Sequence, residues 1–155
     1  MAIAVPNFGK VRQMGTVRTP LVIANHRDQG LAAAGYIPPD QVRQVSLDGV
    51  LVDTGATTLA LPTDVIAQLG LPLRREVAIS TAAGKGTTRL YQDAAITLLG
   101  REGTFDCLEL PEGSEALIGV LPMEALGMEP DLQHQQLRLL PEEPGNTHYF
   151  IYRAS

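Results

Sequence analysis

The chain has 155 residues, 45% hydrophobic and only 19% charged, which suits one compact domain with a real core and excludes a disordered or fibrous protein. The formal charge is −5, and the 12 Lys and Arg are scattered with no cluster beyond Arg74-Arg75, so no basic stripe is available for phosphates and no nucleic-acid partner is expected. A single cysteine, an N-terminus without a charged region ahead of an apolar one, and no apolar run of bilayer length together predict a cytoplasmic protein without membrane contact.

Aromatic residues make up 5% of the chain and Trp is absent, whereas 15 Gly and 11 Pro recur along it, a pattern of short strands and tight turns. Residues 1–15 read as an N-terminal extension. Residues 16–25 read as a first strand in which Pro20, lacking an amide to donate, marks an edge or a bulge. Residues 26–39 read as a long loop, because Gly30 and Gly35 leave too short a stretch for a stable helix and Pro38-Pro39 fixes an extended exit. Segments 42–47 and 50–52 flank Asp48-Gly49, a dipeptide suited to the positive backbone angles of a two-residue turn, and predict a hairpin. Thr63 is then the expected cap of a helix of about two turns. Asp64 stands at the positive end of its dipole, Val65, Ile66 and Leu69 form its apolar face, and Gly70 is its stop.

Residues 76–81 and 87–91 alternate as strands around the small tip Ala82-Ala83-Gly84-Lys85-Gly86. Two more strands, 93–99 and 104–110, join through residues 100–103, and Cys107 within the second reads as a small apolar packing residue. Ala116-Leu117-Ile118 and Gly119 precede a second helix with Pro122 in its first turn and Gly127 as its stop. The stretches from Leu61-Pro62 to Pro72 and from Leu121-Pro122 to Pro130 echo each other with unequal spacing, which either a duplication or common helix punctuation explains. Residues 136–140 read as a strand and 141–145 as a break. Residues 148–153 read as an aromatic terminal strand that docks on its own sheet or on a partner.

The chemistry centres on Asp53-Thr54-Gly55. It follows the apolar run Val50-Leu51-Val52 and leads into Ala56, so a strand delivers a carboxylate into a turn. Alone, the tripeptide is better explained as an ordinary turn. In order with the strand and helix that follow, the Gly-tipped hairpin and Leu117-Ile118-Gly119, it resembles the retroviral-type (retropepsin-like) aspartic proteases in their small free-standing bacterial form. The resemblance covers about residues 16–140 and leaves 141–155 as a tail. It implies an all-β, closed-barrel fold with one or two short helices that pairs as a homodimer. It further implies that Asp53 is catalytic, that Thr54, Gly55 and Ala56 form the active-site loop, and that Ala82, Ala83, Gly84, Lys85 and Gly86 form a flap over substrate. Leu117, Ile118 and Gly119 would pack beside the catalytic loop.

Peptide hydrolysis needs a base to activate water and an acid to protonate the departing nitrogen, and two close carboxyls sharing one proton supply both. The motif occurs once in the chain. The resemblance therefore implies a dyad of Asp53 and its mate from a second copy, acting on a polypeptide substrate without a cofactor. A non-catalytic dimerisation or peptide-binding module on the same fold is the alternative, and a plain exposed hairpin is the alternative to the flap. His26, His134 and His148 are far apart without metal-ligand spacing, so no metal is expected. Gly84-Lys85-Gly86 is too short for a phosphate-binding loop, and no Gly-x-Ser-x-Gly elbow is present.

Overall fold

The computed structural model describes residues 16–141, so the extension at 1–15 and the aromatic strand expected at 148–153 lie outside the described residues. Strands β1 (Val17–Asn25), β2 (Gln44–Val52), β3 (Leu59–Pro62), β4 (Leu73–Thr81), β5 (Gly84–Leu98), β6 (Arg101–Leu110) and β7 (Leu117–Ile118) form one sheet in the order β1-β2-β7-β3-β6-β5-β4. Because β1 also pairs with β5, six of these strands close into a ring and β4 extends from it as an edge. Three short helices decorate the ring: α1 (His26–Ala33), α2 (Thr63–Leu69) and α3 (Val120–Ala125). A separate hairpin, β8 (Met128–Asp131) and β9 (Gln136–Leu139), completes the described chain. The molecule is mostly β with short helices, as expected, although the described residues hold three α-helices and one turn of 3-10 helix at Pro39–Gln41, and not one or two helices.

The ring is filled from all sides. Leu21 and Ile23 of β1, Leu59 and Leu61 of β3, Ile96 and Leu98 of β5, Ile118 of β7 and Leu69 of α2 are all fully buried. Each such side chain contributes about 1.5–3 kcal/mol relative to exposure. Cys107 lies in the same cluster, and burial pushes its thiol well above the usual range, so it packs as an unreactive apolar group.

Two expected features are corrected by long-range partners. Residues 26–39 are not all loop, because α1 forms through Gly30. Its first turn is fixed by Asn25, whose side-chain oxygen accepts from the Asp28 amide at 3.0 Å, and by Asp28, whose carboxylate takes two hydrogen bonds from the Arg43 guanidinium at 2.8 and 3.0 Å. Asp48-Gly49 is not a turn, since β2 runs straight through it. Opposite it stands Pro20. Thr19 pairs with Val50 and Leu21 with Leu47, so Asp48 and Gly49 form a bulge that faces the one residue in β1 with no amide to share.

The later strands also differ from expectation. The segments 84–91 and 93–98 are one bent strand, β5, with a register shift against β6 between Tyr91 and Ala94. Asp93 sits in the bend at φ 68°, and its carboxylate accepts from Arg27 Nε at 2.9 Å. The bend lets β5 leave β4 and join β1. The β5–β6 connection is the pair Leu99 and Gly100, both with positive φ, and not residues 100–103. Thr63 is the first residue of α2 and not its cap; its hydroxyl donates instead to the Leu110 carbonyl at 3.1 Å. Gly70 and Gly127 end α2 and α3 with φ of 60° and 68°. The unequal spacing in the two echoing stretches comes from β3, which intervenes before α2, whereas α3 starts directly after Gly119.

Candidate active site

Asp53 leaves the end of β2 and is laced to β7. Leu51 and Val52 pair in parallel with Leu117 and Ile118, and the Asp53 amide donates to the Ile118 carbonyl at 3.0 Å. The loop then closes on itself: the Ala56 amide donates to the Asp53 carbonyl at 3.1 Å, and the Gly55 amide to Asp53 Oδ1 at 2.9 Å. The far side of the loop is tied to the start of α3, where the Val120 and Leu121 amides donate to the Ala56 and Thr57 carbonyls, both at 2.9 Å. Gly119 makes that approach possible, since a β-carbon there would stand 2.5 Å from the Ala56 oxygen and 2.8 Å from the Thr58 nitrogen. Asp53 and Ala56 are half-buried, whereas Thr54 and Gly55 face solvent.

A cleft of about 470 Å³ opens beside this loop, bordered by Asp53, Gly55 and Ala56 on one side and by Val77 to Thr81 of β4 on the other. Its floor includes Leu108 and Leu110 of β6 and Leu117 of β7. The second carboxylate of the cleft, Glu109, is engaged by Arg89 at 3.7 Å. The cleft thus presents Asp53 as its chemically available acid. One carboxyl at a time can act as base or as acid, so Asp53 alone does not supply both groups that peptide hydrolysis needs.

The hairpin of β4 and β5 overhangs the cleft with its wall, not its tip. Ala82 and Ala83 form the turn, where the Thr81 hydroxyl donates to the Gly84 carbonyl at 3.0 Å and accepts from the Ala83 amide at 3.2 Å. Gly84, Lys85 and Gly86 belong to β5, paired with Thr81, Ser80 and Ile79, and are not part of a five-residue tip. All five residues are exposed, and the cleft is bordered instead by residues 77–81 and Thr88. Val77, Ile79 and Thr57 escaped sequence reasoning. The alternation of half-buried Val77 and Ile79 with exposed Ala78 and Ser80 was the available signal.

The histidines stand apart from this cleft. His26 Nδ1 lies 3.2 Å from Gln29 Oε1 at the start of α1, and His134 Nδ1 lies 2.7 Å from Asp131 in the β8–β9 turn. The hydrogen bond from His134 holds the Asp131 carboxyl below the usual carboxylate range. His148 lies outside the described residues. Among the described residues, no group of three or more His, Cys, Asp or Glu side chains is placed to hold a metal ion. Nor, among them, is any helix long and apolar enough to cross a membrane.

A loop carrying Asp-Thr-Gly, tied to an apolar-apolar-Gly strand within a closed barrel, defines a retropepsin-like aspartyl protease fold. Residues 44–127, more than half of the chain, match the family described as "gag-polyprotein putative aspartyl protease", and the chain belongs to that family. Among solved structures the chain is similar to EIAV protease complexed with the inhibitor HBY-793, with 21% identity, a TM-score of 0.48, and coverage of 71% of this chain and 86% of that one. No curated protein matches the sequence.

Proposed function

We propose that the protein is an aspartic endopeptidase whose active centre is completed by a second copy of the chain, each copy supplying its Asp53. The observation that carries this reading is the geometry of Asp53 itself: half-buried at an apolar cleft, one oxygen fixed by the Gly55 amide, next to an exposed Thr54-Gly55 surface. That exposed surface is where a symmetric partner would bring its own loop, because an isologous contact places the same patch on both copies. Residues 16–140 form the protease unit in this reading, with residues 1–15 and 141–155 as extensions of it.

In the paired state the two carboxyls share one proton. The ionised Asp53 removes a proton from a bound water, whose oxygen forms a bond to the scissile carbonyl carbon. The protonated Asp53 of the other copy donates a hydrogen bond, then its proton, to the carbonyl oxygen. Collapse of the tetrahedral species breaks the C–N bond as a proton passes to the departing nitrogen, so water is added across the peptide bond and the dyad regains its single proton. Thr54 holds the two loops together, and β4 and β5 lie over an extended polypeptide.

Replacing Asp53 by Asn tests this directly. The variant keeps the shape and the Gly55 hydrogen bond but cannot act as a base, so cleavage of a denatured protein substrate is expected to fall by at least about a thousandfold with the melting temperature unchanged. Cleavage equal to the parent overturns the assignment. A folded protein that binds peptides without cleaving them in either form supports the non-catalytic alternative.

A further inference from the structure

The β8–β9 hairpin lies beyond the stretch that matches the protease family, and it leaves apolar surface open. Leu132 in its turn and Leu139 and Leu140 at its end are 55%, 43% and 38% exposed. A hairpin of two short strands is marginal by itself and gains from a third. Its two edges are not equivalent. The Leu140 amide donates to the Gly127 carbonyl at 2.8 Å, and the ladder continues by pairing Met128 with Leu139 and Pro130 with Leu137. Bonded and non-bonded pairs alternate along an antiparallel ladder, so Leu137 and Leu139 turn their amides and carbonyls away from β8, and Pro130 turns its nitrogen away from β9. The outer edge of β8 is thus blunted by a residue with no amide to donate, whereas that of β9 offers two donors and two acceptors. Among the described residues β9 pairs with no strand other than β8.

We propose that residues 148–153 of the same chain add to the free edge of β9 as a third, antiparallel strand and cover its exposed leucines. The course of the chain selects this occupant. The described residues end at Pro141, directly after Leu140, whose carbonyl is held by Arg101 at 2.8 Å. Residues 142–147 separate that point from His148, and at about 3.3 Å per residue they keep the following segment within about 20 Å of the end of β9. Pro144-Gly145 among them is a turn signal, which directs the chain back along the strand it has just left. Tyr149, Phe150 and Ile151 are strand-forming residues, so each face of the added strand carries an apolar group to lay beside Leu139. Setting His148 level with Leu140 brings Arg153 to the β8–β9 turn, where Asp131 provides an opposite charge.

Amide hydrogen exchange in the full chain, followed residue by residue by NMR, reads this edge directly. The outward amides of Leu137 and Leu139 are expected to exchange within about tenfold of the Arg138 amide, which faces β8. Ile151→Pro removes an amide from the added strand and is expected to accelerate exchange at Leu137 and Leu139 by at least about tenfold. The amides of Ile96 and Ile118 in the ring are expected to keep their rates, and Ile151→Val is expected to leave all of these rates unchanged. Fast exchange at Leu137 and Leu139 in the parent, or rates there that Ile151→Pro does not move, overturns the proposal. In a mixture of isotope-labelled and unlabelled chains allowed to exchange, proximity between Leu139 and residues 148–153 is expected within one chain. Proximity that crosses between chains assigns the edge to a second copy and overturns the proposal as well. None of these readouts involves cleavage, so the added strand stands or falls apart from the role of Asp53.

Discussion

Gly119 and Ala56 touch backbone to backbone, so closely that a β-carbon at 119 would stand 2.5 Å from the Ala56 carbonyl oxygen. The contact joins two elements far apart in sequence. It brings α3 under the Asp53 loop and lets the Val120 amide reach that same Ala56 oxygen at 2.9 Å. The position of Asp53 is therefore set from both sides, by β2 behind it and by Gly119 beneath it.

Gly119→Ala is expected to force the loop and β7 apart, because the atoms in the way belong to the backbone and cannot rotate aside. A loss of about 1–3 kcal/mol is expected, as for other insertions into a well-packed site. Urea unfolding measures it, and any peptidase activity is expected to fall further than stability does. A variant as stable as the parent would show that the contact relaxes cheaply.

The Asp28–Arg43 pair ties α1 to the start of β2, and Arg43 also lies over Gly70 at the end of α2. Arg43→Ala leaves the buried Asp28 carboxylate without its guanidinium and is expected to cost about 1–3 kcal/mol. The hydrogen bonds from Arg43 hold Asp28 below the ordinary aspartate value of 3.8. The folded state thus binds its proton less readily than the unfolded chain. The contribution is complete above that ordinary value and is lost as the pH falls from it through the lowered folded value. Chemical unfolding at pH 7 and at pH 3 or below, compared between parent and Arg43→Ala, is expected to show a difference that shrinks in acid. An unchanged difference contradicts the pair's role.

Gly86 distinguishes a flap from a plain hairpin. It pairs with Ile79, and a β-carbon there meets no atom within 4 Å. Gly86→Val is therefore expected to change stability by no more than about 0.5 kcal/mol. If β4 and β5 close over a substrate, the added bulk is expected to lower kcat/KM by about tenfold to a hundredfold. Unchanged kinetics on an extended peptide would show that the hairpin stays clear of it.

Arg101 fastens the last described elements. Its Nη1 donates to the Leu126 and Gly127 carbonyls at 2.7 and 2.8 Å, and its Nη2 to the Leu140 carbonyl at 2.8 Å. Arg101→Met keeps the aliphatic stem and removes these donors, for an expected loss of about 1–3 kcal/mol. Hydrogen exchange is expected to rise first at the Leu126 and Leu140 amides. Uniform exchange across the barrel contradicts a local clasp.

Features that depend on one residue and its neighbours are readable in the sequence. Gly70 and Gly127 stop their helices in the left-handed conformation, and the apolar run into Asp53 delivers that residue to a turn. Features that depend on a partner elsewhere are not. Asp48-Gly49 looks like a turn until Pro20 is placed across from it, and α1 looks too weak until Arg43 reaches Asp28. The β8 strand is not readable for the same reason, since its identity rests on pairing with β9. The candidate site divides in the same way: Asp53 and Gly119 announce themselves through short motifs, whereas Val77 and Leu108 border the cleft through the pairing of β4 with β5 and of β6 with β3. In the proposed reading the partner loop comes from a second chain, and the motif's single occurrence is the one feature of the sequence that points to it.

Whether one active centre needs two Asp53 side chains is measured by mixing. Parent chains are combined with increasing proportions of Asp53→Asn chains at fixed total concentration, allowed to exchange, and assayed for peptide cleavage. Because a mixed pair holds only one carboxylate of the dyad, activity is expected to follow the square of the parent fraction. A linear dependence on that fraction would mean that each chain works alone, and would contradict an active centre shared between two copies.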